Sequence, residues 1–505
     1  MKDLRDYIAL LRTKGLLAEI DASIDPILEM TEVADRVVKQ GGPALLFTDP
    51  KGHSTPVLMN QFGSHERMCL ALRADSYEQL AARTAELTEL DMPDTAWDKV
   101  KALGRLKTLA GWQPKVVKRG ACQEVVLTGD DIDLDSLPII QCWPLDGGRY
   151  ITLPLVFSRH PVTGTRNVGM YRLQVFDKQT LGMHWHLHKD AAEHYRASKE
   201  RLEVAVAIGT DPALTYAATA PLPGAIDELL FAGFLREAAV ELVQCKTVDL
   251  QVPAHAEFVL EGYVDVAETL TEGPFGDHTG YYSLADKYPV LHLTALTHRH
   301  DPIYSTTIVG QAPMEDAYLG KATERLFLPL MKLTLPELVD WDLPMEGGFH
   351  NCVLVGIDKR YPLQARKVMH SLWGTGQMQF AKCIVVLDAD VDVHDYAQVA
   401  WRVFNNVDWK RDVLQVEGPL DVLDHSSPHP LWGGKMGIDA TTKTLQEGHD
   451  REWPPDVEMS AEVKARIDAL WPSLGLSGAP DGGPAGRGDS GSPGGGPTDR
   501  GLSGV

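Results

Sequence analysis

The period of the apolar residues changes twice along this 505-residue chain, near residue 116 and again near residue 316. Each change marks the edge of a differently built region. Before the first, Leu4, Ile8, Leu10, Leu11, Leu16 and Leu17 fall mostly at helical spacing, and Glu19 and Ile20 begin something extended. Residues 27–40 repeat the amphipathic spacing and stop at Gly41 and Gly42, a conventional helix end. Short strands are predicted at 44–47 and 55–59, and a helix from 76 to about 90. This alternation predicts a first α/β domain over residues 1–115.

From 116 to 315 the pattern is β. Extended segments surround a glycine at 116–129, and strands are predicted at 138–141 and 150–157. An alternating run at 167–176 turns at 177–179 and returns over 181–188, a strong hairpin signal. An apolar strand follows at 202–208. Pro221 and Pro223 precede a predicted helix with Leu229, Leu230, Phe234, Leu235, Ala238 and Leu242 facing one way. Further strands are expected near 256–260 and 290–296. A helix at 316–333 then leads to buried-type strands at 352–356 and 383–387, with one helix at 361–372 and another after Asp395. That is βαβ-like architecture to about residue 445. An extension, 446–505, becomes so rich in Gly, Pro, Ser and Asp beyond about 477 that disorder is expected.

Composition narrows the class. A chain this long exceeds one core. The net charge of -22 argues against a general nucleic-acid or anionic-membrane surface. Six scattered cysteines without a CxxC pair favour reduced thiols over a disulfide framework. The charged N-terminus and the lack of any apolar run near the roughly 18 residues of a membrane span lead to the expectation of a soluble, cytoplasmic protein.

The stretch Glu272-Gly273-Pro274-Phe275-Gly276-Asp277-His278-Thr279-Gly280-Tyr281-Tyr282 carries two carboxylates five residues apart around a Gly-Pro turn. Phe275, Tyr281 and Tyr282 flank them. A carboxyl against an aromatic wall has a raised pKa and holds a proton near neutrality, as a general acid must. The plainer alternative is a surface turn with solvated acids. His184, His186 and His188 alternate on the predicted hairpin strand and would share a face. A three-imidazole zinc or iron site is one reading, and a polar-faced strand with at most one ligand is the other.

Oxygen donors lie near by in sequence, Asn167 at a strand start and Glu228 in the first turn of its helix. One amide, one imidazole and one carboxylate with open positions suit Mg²⁺ or Mn²⁺ bridging a phosphate. By default Glu228 only compensates a helix dipole, and Arg172 is a surface ion-pair partner. The Gly-rich, basic segment 433–443, with Lys435 and Lys443, could cradle an anion but lacks the P-loop spacing. No Gly-x-Gly-x-x-Gly follows a strand, which removes the simple dinucleotide reading.

Together these segments resemble the UbiD family of prenylated-flavin-dependent decarboxylases. The carrying motifs are Asn167-Val168-Gly169-Met170-Tyr171-Arg172, the strand from His184 to His188, Pro221-Leu222-Pro223 with Glu228 and Phe231-Ala232-Gly233, the stretch from Glu272 to Tyr282, and Lys435-Met436-Gly437-Ile438-Asp439-Ala440-Thr441. They stand in family order over roughly residues 1–445. The resemblance implies a mixed α+β and α/β multidomain fold: an N-terminal α/β domain, a central flavin-binding split β-barrel-like domain, and a C-terminal α/β domain that mediates oligomerisation. It implies prenylated FMN held through Mn²⁺, and often K⁺, with Asn167, His188 and Glu228 as metal ligands. Met170, Tyr171, Arg172, His184, Trp185, His186 and His188 would line the cofactor, and Lys435 would approach its phosphate. Arg172, Glu272 and Asp277 would form the catalytic network, with Asp277 as proton donor.

Two departures stand out. Relatives acting on prenylated hydroxybenzoates commonly carry Arg where this chain has His184, and a different residue at His186. Cinnamate-type members carry Glu where this chain has Asp277, which leans toward hydroxyarene carboxylates. The expected activity is non-oxidative decarboxylation of a 4-hydroxy-3-polyprenylbenzoate-type acid in quinone biosynthesis. The alternatives are 1,4-dihydroxy-6-naphthoate, a simple phenolic acid, or a non-catalytic flavin-binding homologue. A flavin prenyltransferase would supply the cofactor, a prenylated substrate would bring the protein peripherally to a membrane, and a homo-oligomer without nucleic-acid partners is expected.

Overall fold

The computed structural model describes residues 1–88, 109–185, 190–222 and 226–475. The chain divides into a large unit, Met1–Thr442, and a second unit, Lys443–Val505. The latter holds a helix, Ala461–Leu470, without a buried residue. The tail expected to be disordered from about 477 lies outside the described residues, as do His186, His188 and the end of the helix predicted at 76–90.

The N-terminal sheet has four strands in the order Leu17–Ile20, Ala44–Phe47, Val57–Met59 and Tyr304–Ser305. The first pair is parallel, so a crossover must join them, and helix Glu29–Lys39 does. Helix Leu4–Thr13 begins where the Asp3 side chain accepts hydrogen bonds from the Arg5 and Asp6 N–H groups, and it buries Leu4, Tyr7, Ile8 and Leu11. The fourth strand comes from far along the chain. Two residues carry no readable period, and only pairing with Val57 and Leu58 makes them a strand.

The central sheet has nine strands. Its path runs Tyr150–Ile151, Leu173–Val175, Thr180–Met183, Asp286–His298, Phe258–Glu272, Arg201–Ile208, Leu155–Arg159, Arg166–Gly169, with Val125–Thr128 added against Asp286–His298. Register shifts at Glu261/Gly262 and between Val264 and Thr269 mark bulges that bend the long hairpin at its centre. Alternation along Arg201–Ile208 sends Val204 and Val206 into one apolar cluster and Ala205 and Ala207 into another, so both faces are covered.

Two predicted strands break. The run 150–157 splits at Pro154, which cannot donate to a ladder, into pieces near opposite ends of the sheet. The run 167–176 splits at 170–172 in the same way, and the hairpin survives only as Leu173–Val175 paired with Thr180–Met183. Four links of chain reach at most about 14 Å. Strands joined by so short a connection are therefore close in space, although they sit far apart along the hydrogen-bonded path. The sheet must curl into a half-barrel, with 152–154 and 170–172 bridging its open side.

The C-terminal sheet has five strands, ordered Leu338–Asp342, Cys352–Ile357, Cys383–Asp388, Trp432–Asp439 and Val413–Pro419. Its inner pairs are parallel and joined through helices Gln364–Trp373 and Tyr396–Asn406, as the βαβ pattern predicts. Most of the expected Gly-rich loop at 433–443 is instead an inner strand, paired on both sides. The helix predicted to reach Leu242 ends at Arg236, because Glu237 adopts the left-handed conformation and its N–H caps the last turn. Leu242 belongs to strand Glu241–Gln244. The strand predicted at 138–141 is reduced to isolated bridges at Ile140 and Gln141.

Candidate active site

Arg172 leaves the bridge across the open side of the half-barrel and is almost completely enclosed. Its Nε donates to Glu272 Oε1 at 2.8 Å, and Nη2 donates to Glu272 Oε2 at 3.2 Å and Ser283 Oγ at 3.0 Å. Nη1 donates to Asp277 Oδ2 at 2.6 Å. These bonds engage four of the five guanidinium N–H groups (one on Nε, two on Nη2, one on Nη1), leaving one on Nη1. The Phe275 ring lies under the guanidinium, 4.5 Å from Cζ to centroid.

Local sequence sets this geometry. Glu272 ends the long strand Phe258–Glu272 and is fully buried. Gly273 takes φ +95°, which an L side chain resists, and the chain doubles back so that Phe275–Gly276 pairs with Tyr282–Ser283. Asp146 accepts from the Gly276 N–H at 2.8 Å and pins the turn. A Cβ on Gly276 would fall 2.2 Å from the Trp143 ring, so only glycine fits.

The electrostatics reverse the expected state of the acids. Burial pushes the Asp277 carboxyl up, but hydrogen bonds from the His278 ring and N–H and the charges of His278 and Arg172 outweigh it, and its pKa falls well below the usual range. Glu272 is also depressed: burial opposes the charge, and the His184 hydrogen bond and Arg172 restore it. The aromatic wall is not built as expected. Phe275 faces the guanidinium, Tyr281 is exposed and stacks on His425 at 3.9 Å, and the Tyr282 hydroxyl accepts from the Leu145 N–H.

His184 lies just past the end of strand Thr180–Met183. The Trp185 N–H turns back to the Met183 carbonyl at 2.9 Å, and the other two imidazoles of the three-imidazole reading, His186 and His188, lie outside the described residues. Burial lowers the His184 pKa, and its Nδ1 donates to Glu272 Oε2 at 3.0 Å while the ring stacks on Tyr288 at 4.3 Å. His184 thus joins the Arg172 network.

The other residues named for cofactor and metal stand on several separate elements. Asn167 is buried on strand Arg166–Gly169, and its Nδ2 has no partner among the described residues. The amide can be turned to aim either atom outward. Glu228 opens helix Glu228–Arg236, whose N-cap Asp227 is tied to Arg166, the neighbour of Asn167, at 2.6 Å. Asn167 and Glu228 therefore belong to one corner. Met170 and Tyr171 follow on the bridge, and a Cβ on Gly169 would lie 2.4 Å from the Tyr171 ring. Trp185 is buried with Nε1 unpartnered among the described residues. Lys435 sits on the inner strand Trp432–Asp439 and donates to the Gln379 carbonyl. Burial lowers its pKa to about 8, and no described carboxylate pairs with it. A buried amide, a buried indole N–H and a buried ammonium without a counter-charge suit an anionic, hydrogen-bonding ligand. By contrast Glu324, Asp342 and His394 are spaced as metal ligands, but the Lys321 ammonium already pairs with Glu324 and Asp342, and His394 with Asp342.

Comparison with known proteins decides the family. The models for the N-terminal, Rift-related and C-terminal domains of 3-octaprenyl-4-hydroxybenzoate carboxy-lyase match residues 8–84, 115–312 and 317–440. This chain belongs to the UbiD family. An uncharacterized protein of Archaeoglobus fulgidus is 52% identical over 475 residues, 93% of this chain and 98% of the relative. One of Aquifex aeolicus is 53% identical over 481 residues, 94% and 99% of the two chains. Among solved structures, the UbiD-class enzyme HmfF of Pelotomaculum thermopropionicum in complex with FMN is 30% identical, with a TM-score of 0.75 over 90% of this chain and 97% of that one. The closed form of Sedimentibacter hydroxybenzoicus vanillic acid decarboxylase is 28% identical, with a TM-score of 0.83 over 94% and 99%.

In this UbiD chain the sequence reading missed the residues around the acids. Ser283 and Tyr288 brace Arg172 and His184. His278 hydrogen-bonds Asp277 through Nδ1 at 3.1 Å and its N–H at 2.9 Å, and its Nε2 meets His350 Nε2 at 2.9 Å. A histidine directly after a candidate acid was a signal already in the motif. His350, 72 positions further on, had none.

Proposed function

We propose that this protein is a prenylated-FMN-dependent decarboxylase of an aromatic hydroxy acid, with Arg172, Glu272 and Asp277 as its catalytic residues. The observation that carries the reading is the Arg172 guanidinium held bidentate by fully buried Glu272 and singly by Asp277 inside a UbiD fold. Asn167, Glu228 and His188 would hold Mn²⁺, with K⁺ beside it. Met170, Tyr171, Arg172, His184, Trp185, His186 and His188 would line the flavin, and Lys435 would face its phosphate; the Asn167 amide and Trp185 indole, unpartnered among the described residues, and the Lys435 ammonium, paired with no described carboxylate, fit that load. Bound prenylated FMN would supply an electron sink as CO₂ departs. Arg172 uses its remaining N–H to orient the substrate carboxylate, and Phe275 beneath it excludes water. Asp277 delivers the proton to the ring carbon that loses CO₂, while Glu272 and His184 keep Arg172 in place.

A 4-hydroxy-3-polyprenylbenzoate-type acid in quinone biosynthesis is the first candidate substrate, supported by the family description. A simple phenolic acid is the second, because the similar solved enzymes include vanillic acid and 3,4-dihydroxybenzoic acid decarboxylases. A flavin prenyltransferase would supply the cofactor. Assembly through the third of three domains (1–115, 116–315, 316–445) is supported by Trp401, Phe404 and Trp409, large apolar side chains exposed on and just after helix Tyr396–Asn406. No described helix is long and apolar enough to cross a membrane; a cytoplasmic location is part of this proposal.

The test is co-expression with a flavin prenyltransferase, followed by absorbance, mass and CO₂ release from a panel of aryl acids. Prenylated flavin should bind, and Asp277→Asn should abolish turnover with cofactor retained. Failure to bind it removes the cofactor, and an active Asp277→Asn removes the proton donor.

A further inference from the structure

The proposed acid is a carboxylate at rest, so each turnover needs a proton from elsewhere. Asp277 Oδ1 meets His278 Nδ1, and His278 Nε2 meets His350 Nε2. Two facing Nε2 atoms at 2.9 Å require one to donate and the other to accept. With His278 as imidazolium, Nδ1–H serves Asp277 and Nε2–H serves the His350 lone pair. His350 is then neutral with its proton on Nδ1, an atom that is buried and without a partner among the described residues. Phe349 packs flat on the His278 ring at 5.2 Å and holds the pair in register.

We propose that His278 and Asp277 form a proton wire that recharges the acid of the decarboxylation, with His350 as the positioning residue that accepts from His278 Nε2–H and fixes its ring. The residues come from separate parts of the chain: 277–278 from the central turn, and His350 from the segment between the turn Met345–Gly347 and strand Cys352–Ile357. The wire rests on the carboxy-lyase reading above. When the bond from ring carbon to carboxylate breaks, CO₂ leaves and the ring carbon takes the proton held by Asp277. His278 gives its Nδ1 proton to Asp277 and keeps its Nε2–H on the hydrogen bond to His350, and once the product has left a solvent proton returns to Nδ1; the sum is one acid anion and one proton to arene and CO₂.

The surroundings support this placement. His278 faces Asp277 on its own turn and Asp316 at the start of helix Glu315–Thr334, with Arg172 on the other oxygen of Asp277. His350, Phe349 and Asp421 approach from the C-terminal region, where Asp424, paired with Lys382, also faces His350. Burial disfavours the imidazolium, but the Asp277 hydrogen bond and the carboxylates raise the His278 pKa to about 8. Burial and the His278 charge lower His350 to about 4. The pair thus shares one proton near neutrality.

The test has two arms on the full chain. In protein carrying ¹³C-labelled histidine, without substrate, the two rings are assigned with His278→Gln and His350→Gln and titrated. His278 should take up its proton near pH 8, and Asp277→Asn should lower that midpoint by about one unit or more. A His278 signal unmoved by His350→Gln overturns the pairing. In the reconstituted holoenzyme, with vanillic and 3,4-dihydroxybenzoic acids as probes, His278→Gln keeps volume but carries no proton. It should lose about tenfold or more in kcat with KM unchanged, and added imidazole should rescue His278→Ala. Wild-type kcat in His278→Gln overturns the wire. If wild-type holoenzyme releases CO₂ from neither probe, the carboxy-lyase reading fails for both acids; the wire falls with it, while the ring titration still decides the pairing.

Discussion

Replacing Arg172 by Met tests whether the site is held together by charge. The substitution keeps much of the side chain's length and removes the cation that touches both acids. Glu272 is 0% and Asp277 8% exposed, so neither can turn to water. Removing one partner of a buried ion pair costs about 3–5 kcal/mol. Glu272 keeps His184 and Asp277 keeps His278, which places the expected loss near the lower end, about 3 kcal/mol at pH 8. In the wild type both carboxyls have depressed pKa values in the folded state. Their contribution is fully present above the unfolded values near 4 and is lost only as pH falls through the folded ones. Without Arg172 the folded values rise, and the acids of the variant take up protons first on acidification. The deficit should therefore be largest at pH 8 and shrink toward pH 5. Urea unfolding at both values measures it. Arg172→Met combined with Glu272→Gln and Asp277→Asn should recover part of the loss, because no charge is left uncompensated. A single variant within about 1 kcal/mol of wild type, or a deficit independent of pH, would refute the reasoning.

His184→Ala should lower kcat by releasing Glu272 while manganese content, read by elemental analysis, stays unchanged; loss of metal would return His184 to the ligand set. Gly169→Ala puts a Cβ 2.4 Å from the Tyr171 ring, so the ring must move, and flavin retained after gel filtration should fall while the far-UV spectrum persists. The pH profile of kcat/KM should decline above about pH 8 as His278 loses its proton. The stability that this raised histidine contributes is fully present below the unfolded value near 6.5 and is lost as pH rises through 8. A profile flat to pH 10 would show that His278 takes no part.

The long periodic elements were legible because their burial follows their own spacing: helix Leu4–Thr13, strand Arg201–Ile208 and the C-terminal βαβ unit stand where the apolar pattern puts them. Strands 150–157 and 167–176 read as continuous because alternation does not report where a strand changes neighbours. Glycines at 433 and 434 suggested a loop, yet pairing with Val413–Pro419 on one side and Cys383–Asp388 on the other overrides weak local propensity. Two-residue strands such as Tyr304–Ser305 exist only through their partners.

The motif Glu272 to Tyr282 carried in its own residues the two acids, the glycine that permits the turn and the histidine that follows Asp277. Those are matters of covalent order and backbone geometry. The protonation state was not. Aromatic neighbours in sequence predicted a raised acid, and the fold instead placed Arg172 and His278 against it. A pKa depends on which charges lie within a few ångströms, and closing the half-barrel brings Arg172 from 105 positions away to 2.6 Å from Asp277. His350 likewise acquires its meaning only from the loop that sets it against His278. The chemistry of each group was written in the sequence; its charge was decided by distance, and distance belongs to the tertiary structure.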